Sequence, residues 1–378
     1  MGVVTSRSPS RAPDITVFGA PADGPVVAFQ SALEARGWPA ASVVAYPRLL
    51  TEPRVHARGV VRFETPGRSE AARAAILELG AERMRDEDRA PLTGAALQAA
   101  VRDIGRIAGA HQSFLGLVEA MSRVELDASA RYMNDPSEIC LAFDKLRCQR
   151  HLVGHHVPVP PLLGSVASYD QLREQMAARR WSRVFIKLRH GSAASGVVAY
   201  EIMRGREQAR STAEMAPGDP GVRLYNTRRI RRYGDRDAIR ALIDALAKEG
   251  AYAERWIPKV TLDGLACDLR VVLTAGKPTH WIVRASRHPF TNLHLGGRRF
   301  EIDALRSRVP EDGWAAVVDT CRSVGAAFPR CSYLGLDVAI ERAGRHAVLE
   351  VNAFGDYVKG LVVAGRTPHD AQLETLWT

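Results

Sequence analysis

The stretch from Tyr333 to Tyr357, YLGLDVAIERAGRHAVLEVNAFGDY, most constrains what this chain can fold into. Two alternating apolar runs, Leu334 to Ile340 and His346 to Asn352, flank Glu-Arg-Ala-Gly-Arg, which predicts a β-hairpin turning near Ala343-Gly344. Closed symmetrically there, the hairpin sets Leu336, Val338 and Ile340 opposite Val351, Leu349 and Ala347 on one apolar face. The other face then carries Asp337 directly opposite Glu350, with Asn352 beside it. Like charges across a strand pair repel, so two facing carboxylates with a carboxamide call for a compensating cation. Oxygen-only donors suit a hard ion such as magnesium. A plainer reading has the two acids on a solvated sheet face and Asn352 in a turn; the rest of the chain decides between them.

At 378 residues the chain exceeds one small core and predicts two or three packed units. Its 46% apolar and 25% charged residues are those of an ordinary soluble protein, and no run approaches the ~18 to 20 apolar residues of a membrane span. The opening MGVVTSRSPSRAPD has no apolar targeting core and reads as a disordered tail, its match to a lipidation pattern being taken as chance. Five widely spread cysteines without a Cys-x-x-Cys predict reduced thiols in a cytoplasm, not a zinc or disulfide framework. The net charge of +10 predicts anionic partners, whether nucleotide phosphates, a carboxylate substrate or nucleic acid. Much of that charge lies in Arg223 to Arg236, RLYNTRRIRRYGDR, which reads as a solvated face.

In chain order, a strand from Ile15 to Gly19, a helix from Val26 to Arg36 and a strand from Ser42 to Ala45 open an α/β unit. Val60 to Phe63 reads as a further strand, and Ser69 to Gly80 and Ala95 to Glu125 as helices separated by the charged connection Ala81 to Pro91. No Gly-x-Gly-x-x-Gly follows the first strand, and no Gly-x-x-x-x-Gly-Lys-Ser/Thr loop occurs anywhere. A helical run passes through Asp144-Lys145 to Leu152; His151, His155 and His156 cluster near its end but lack the carboxylates of a metal site. A strand from Val184 to Lys187 leads through Leu188 to Gly196, LRHGSAASG, into a strand from Val197 to Glu201. A Gly- and Ser-rich loop of this length exposes backbone N–H groups able to cover phosphates, and Lys187 closes the strand before it. Asp237 to Glu249 predicts an amphipathic helix, and Tyr252 to Ile257, Asp268 to Thr274 and Thr279 to Arg284 predict strands, the last two joined by Ala275-Gly276-Lys277-Pro278.

The order of these pieces resembles the ATP-grasp superfamily of carboxylate ligases, particularly its ribosomal-protein-glutamylase-like and glutathione-synthetase-like branch. They are Asp144-Lys145, Lys187 with its Gly/Ser loop, Glu254-Arg255-Trp256-Ile257-Pro258, Asp268-x-Arg270, Arg284, Asn292 near Gly296-Gly297, Asp337 and Glu350-x-Asn352. The resemblance runs from about Tyr132 to Tyr357. It implies an α/β (α+β) fold class: an N-terminal open, Rossmann-like α/β domain followed by a two-lobed ATP-grasp fold. The implied divisions are a disordered tail over 1–14, the N-terminal domain over 15–130, a central lobe with the phosphate-covering loop over 131–255, and a C-terminal lobe with the magnesium site over 256–378.

Carried over residue by residue, Lys145 and Lys187 resemble the two lysines on the nucleotide phosphates, and Gly191, Ser192, Ser195 and Gly196 the mobile loop above them. Glu254, Trp256 and Ile257 resemble the hinge at adenine, with Glu254 as the acid meeting the nucleotide. Arg255, standing where the family often has another acid, shifts that assignment by a residue or so. Arg270, Arg284 and Asn292 resemble the groups around the phosphates and the reacting acyl group. Asp337, Glu350 and Asn352 resemble the magnesium ligands. Asp356 to Lys359 reads as the start of the last helix.

The implied chemistry is ATP- and magnesium-dependent joining of a carboxylate to an amine or thiol through an acyl phosphate, in the cytoplasm, on a small acid, an amino acid or a peptide. It needs no protein nucleophile, which agrees with the missing Ser-His-Asp and Cys-His patterns. One alternative is a peptide-modifying ligase of a biosynthetic cluster; another, from a different class, is an ATP-binding regulatory protein on the same fold. A nucleic-acid partner rests on Arg228 to Arg232 alone, with no recognition motif, and a homodimer is the default expectation.

Overall fold

A computed structural model describes residues 12–85, 87, 90–218, 221–355 and 360–377. Most of the tail, and the Asp356 to Lys359 assignment, lie outside the described residues. The chain begins β1 (Ile15–Phe18), α1 (Gly24–Ala35), β2 (Ser42–Val44), α2 (Arg48–Thr51), β3 (Val55–Ala57), β4 (Val60–Phe63) and α3 (Glu70–Arg83). It continues with α4 (Gly94–Arg102), α5 (Ala110–Ser122), β5 (Val124–Leu126) and β6 (Arg131–Tyr132). Strands pair in the order β2-β1-β4-β6, all parallel, and β3 pairs with β5. Parallel pairing requires crossovers, which α1 and the α3–α5 layer supply.

Two helices that the sequence reads as one, Ala95 to Glu125, are separate. Asp103 leaves α4 in an extended conformation, and Gly105 and Gly109 adopt φ of 83° and 68°, which breaks the hydrogen-bond ladder before α5. The crossing of α3 and α5 depends on glycine: a Cβ at Gly116 would lie 1.7 Å from the Ile76 carbonyl oxygen.

Next come α6 (Pro136–Phe143), α7 (Lys145–Gly154), β7 (Leu162–Ser165), α8 (Tyr169–Ala178), β8 (Arg183–Leu188) and β9 (Val198–Met203). They are followed by β10 (Arg206–Pro217), β11 (Val222–Tyr233), α9 (Arg236–Lys248) and β12 (Ala251–Arg255). The helical run around residue 144 is likewise two helices. Asp144, extended at φ −78° and ψ 90°, ends α6 and caps α7 by accepting from the Arg147 N–H at 3.1 Å. The second sheet is ordered β11-β10-β9-β8-β12-β7, and α9 lays Ile239, Leu242, Ile243 and Leu246 into its core at helical spacing. The basic run at Arg223 belongs to β11, the edge strand of this sheet; Arg228, Arg229 and Arg232 are exposed while Leu224 is buried.

The third sheet uses β13 (Thr261–Leu262), β14 (Leu265–Thr274), β15 (Lys277–Ser286), β16 (Arg298–Phe300), β17 (Tyr333–Ile340) and β18 (His346–Asn352), ordered β16-β15-β14-β17-β18 with β13 on β14. Helices α10 (Ile302–Arg306) and α11 (Glu311–Ala327) lie before β17, and α12 (Pro368–Glu374) follows β18 and runs into a short 3-10 turn over Thr375–Trp377. Cys267, Leu269 and Val271 of β14 and Leu336, Val338 and Ile340 of β17 are fully buried in the largest core, which also takes in Val317, Cys321 and Val324 of α11. Leu373 and Leu376 join Ile15, Val17, Phe29 and Leu33 in a smaller core at the first sheet. All five cysteines are free, and no helix among the described residues is long and apolar enough to cross a membrane.

Candidate active site

The hairpin β17–β18 forms with Leu336 opposite Val351 and Asp337 opposite Glu350, as the alternation predicts. Beyond that pair the register slips. A bulge between Asp337 and Val338 leaves Leu349 unpaired, so Val338 faces Val348 and Ile340 faces His346. The freed Leu349 turns to line a cavity instead of pairing.

The cation that balances Asp337 is supplied by the neighbouring strands. Arg270 on β14 is the direct cross-strand partner of Asp337, and Arg284 on β15 is that of Asp268. Arg270 Nε donates to Asp337 Oδ1 at 2.5 Å and its terminal nitrogen to Oδ2 at 3.1 Å. Arg284 spans both acids, at 2.9 Å from Asp268 Oδ1 and 3.0 Å from Asp337 Oδ2. Lys259 adds a third cation 2.9 Å from Asp268 Oδ2, and the Thr291 hydroxyl donates to the same oxygen. Burial pushes both carboxyls up, but Arg284 and Lys259 at Asp268, and Arg270 and Arg284 at Asp337, outweigh it and hold them well below the usual range. Three cations against two carboxylates leave this buried group one positive charge in excess.

Glu350 has its own partner: Lys145 Nζ lies 2.9 Å from Glu350 Oε1 and donates to the Gly191 carbonyl at 2.6 Å. Lys187 pairs with Glu254, which is buried and also accepts from Gln149 Nε2 at 2.6 Å and from the Tyr252 hydroxyl at 3.3 Å. The register explains that pairing. Lys187 faces Tyr252, so Glu254 sits two residues along on the same side of the sheet.

These residues meet at two adjoining cavities. A narrow one, of about 90 Å³, is lined by Phe185, Lys187, Glu254, Arg255, Ile257 and Phe290. A wider one, of about 710 Å³, is lined by Ser192, Arg270 and Asn352 among others. Lys145, Gly191, Ser195, Arg284, Asn292 and Glu350 line both. Two expected residues stand back from both cavities. Trp256 packs on Phe185 with the rings tilted and 5.1 Å between centroids, while Arg255 and Ile257 on either side of it line the narrow cavity. Gly196, at φ 66°, ends the loop where a Cβ would meet Leu246 of α9 at 2.9 Å and Leu188 of β8 at 3.1 Å.

Lys259, Thr291 and Phe290 were not singled out by the sequence, whereas Asp268 was legible only as one end of Asp268-x-Arg270, its i, i+2 spacing placing both on one strand face. Of the histidine cluster, His151 Nε2 is 2.8 Å from the Ala327 carbonyl, a structural contact. No group of three or more His, Cys, Asp or Glu among the described residues is arranged to hold a metal ion. Asp337, Glu350 and Asn352 are two acids and an amide.

A Gly- and Ser-rich loop and two lysines thus meet a sheet face of arginines and carboxylates at these cavities. Residues 140–357 match the family model of the YheC/D like ATP-grasp proteins; the chain belongs to that ATP-grasp family, and with it to the ADP-forming carbon–nitrogen ligases. No curated protein matches it. Among solved structures it is similar to the ATP-grasp ligase PsnB complexed with minimal precursor, at 17% identity and TM-score 0.53 over 97% of this chain and 99% of that one. It is also similar to D-cycloserine synthetase DcsG, at 14% identity and TM-score 0.53 over 96% and 99%, and to D-alanine–D-alanine ligase from Bacillus anthracis, at 10% identity and TM-score 0.50 over 96% of each chain. At these identities the likeness is one of fold.

Proposed function

We propose that the protein is an ATP- and magnesium-dependent ligase that joins a carboxylate to an amine or thiol through an acyl phosphate, on a small acid, an amino acid or a peptide. The observation that carries this reading is the convergence of Lys145, Lys187, Arg270, Arg284, Glu350 and Asn352 on two adjoining cavities roofed by the loop 189–196. The narrow cavity suits the adenine, between Phe185 and Ile257, with Lys187 and Lys145 at the phosphate end. The divisions 15–130, 131–255 and 256–378 remain our proposed domains, the site lying where they meet.

The donor set fits magnesium. Asp337, Glu350 and Asn352 present two carboxylates and a carboxamide oxygen at the cavities, the oxygen donors a hard ion takes. Asp337 already serves two arginines, but a carboxylate offers about four lone-pair sites and keeps one for a cation. Magnesium held there supplies neutralisation of phosphate charge.

In the first step a substrate carboxylate oxygen attacks the γ-phosphorus. The bond from that phosphorus to the bridging oxygen breaks, and ADP leaves. Arg270 and Arg284 are fixed by their carboxylate partners before the substrate arrives, so they meet developing charge without reorganising. In the second step the amine nitrogen attacks the acyl carbon, the carbon–oxygen bond to phosphate breaks, and phosphate and a proton are released. The loop closing over the site excludes water from the acyl phosphate.

The test is ADP release with ATP and magnesium against pools of acids, amines and thiols. Acid-dependent ADP formation that disappears in Glu350→Ala and Lys187→Met supports the reading; ATP hydrolysis indifferent to every acid counts against it. The size of the wider cavity, about 710 Å³, favours adding acidic peptides to the pool, which covers the peptide-modifying alternative.

A further inference from the structure

The wider cavity has a second cationic wall that the chemistry above leaves unused. Arg73 of α3 and Arg106, from the connection between α4 and α5, line it along with Lys145, Arg270, Arg284 and Arg299. Glu350, already paired with Lys145, is the one carboxylate among the described lining residues. Arg73 hydrogen-bonds to the Val101 and Ala100 carbonyls at 3.2 and 3.4 Å, at the end of α4. Arg106 is half-buried and has no acidic partner among the described residues.

Its position is also held rigidly. Ile107 N donates to the Leu224 carbonyl at 2.8 Å, Asn226 N to the Gly105 carbonyl at 2.6 Å, and the Tyr225 hydroxyl to Asp103 Oδ2 at 2.8 Å. These contacts pin the connection to the edge strand β11. A half-buried guanidinium without a counter-ion carries a desolvation cost that an arriving anion removes, and its fork matches a carboxylate with two parallel hydrogen bonds. The same cavity is lined by the apolar side chains Ile107, Leu117, Phe143 and Phe354.

We propose that the acyl substrate is a dicarboxylate: one carboxylate reacts beside Arg270 and Arg284, while a second is held by Arg106 in the same cavity. This rests on the ligase reading for the role of the first carboxylate. Monoacids of the same length leave Arg106 unpaired and are discriminated against on that account.

Calorimetric titration of the protein loaded with ADP and magnesium tests it, with two probe pairs: glutarate against valerate, and the dipeptide Glu-Glu against Gln-Gln. The expected result is at least tenfold tighter binding of the dianion in one or both pairs. Arg106→Gln should bring the affinity of the dianion down to that of its monoacid or amide counterpart, and Arg106→Lys, which keeps the charge but loses the fork, should restore part of the difference. Circular dichroism melting of both variants separates this from loss of fold. Equal affinity within both pairs, or a preference that survives Arg106→Gln, overturns the proposal. A dianion preference lost in Arg106→Gln, with no ADP formed when ATP and amines are supplied, upholds the Arg106 subsite and overturns the ligation reading.

Discussion

Lys145 Nζ stands 2.9 Å from Glu350 Oε1, joining the first turn of α7 to the end of β18 through one ammonium that also holds the Gly191 carbonyl. Helix, loop and strand therefore share a single charge. Lys145→Met should lower ADP formation by about 10²-fold, the scale of losing one electrostatic group at a reacting phosphate. The pair is partly exposed, so the stability cost is small, about 1 kcal/mol. Near-normal turnover in steady-state assays of a well-folded variant would contradict this role.

Arg270 and Asp337 make the opposite case, because both are buried. Arg270→Leu strands Asp337, leaving only Arg284 against it, and should cost about 3–5 kcal/mol in urea unfolding. Adding Asp337→Leu removes the stranded charge and should recover part of that loss. A double variant less stable than the single would show that the pair is not the source of the penalty.

Gly116 lets α5 cross α3 with backbone in contact. Gly116→Ala places a methyl 1.7 Å from the Ile76 carbonyl oxygen, so the helices must separate. Overpacking of this kind costs about 1–3 kcal/mol, read as a fall in urea midpoint at unchanged slope. The same substitution at Gly94, which has open space around it, tests only backbone strain at φ 49° and serves as the comparison.

His369 sets an acid limit on stability. Burial, with Arg62 nearby, pushes its imidazole down to about 4, whereas in the unfolded chain it titrates near ~6.5. Above about 6.5 the ring is neutral in both states and contributes no pH dependence. As pH falls from about 6.5 to about 4 the unfolded chain takes up a proton that the folded chain refuses, so stability drops, by about 3 kcal/mol at most. Burial lowers His190 in the same direction. Urea midpoints measured at pH 7 and pH 4.5 should differ less in His369→Gln than in the parent; identical differences would clear His369 of the effect.

Local signals explain what was legible in the sequence. Alternation located β17 and β18 and put Asp337 opposite Glu350, because a two-residue period is fixed by the pleat itself. The bulge at Leu349 was not legible, since nothing in the residue types distinguishes a bulged leucine from a paired one. The long hairpin β10–β11 was hidden by its arginines, a run that reads as a solvated face and carries no clear strand alternation. Asp144 and Asp103 each interrupt a helical pattern through backbone conformation alone. Lys259 and Thr291 reach Asp268 only after β14 and β15 are in register, and Arg106 reaches the cavity only once β11 holds its loop. Such contacts come from tertiary placement, and no spacing in the chain announces them.

The core shared by Ile15, Phe29, Leu373 and Leu376 has a consequence for synthesis on the ribosome. The first strands to emerge keep part of one apolar face uncovered until the segment that seals it, some three hundred and forty residues later, has been translated. During that interval those strands stay open to association with any apolar surface they meet first.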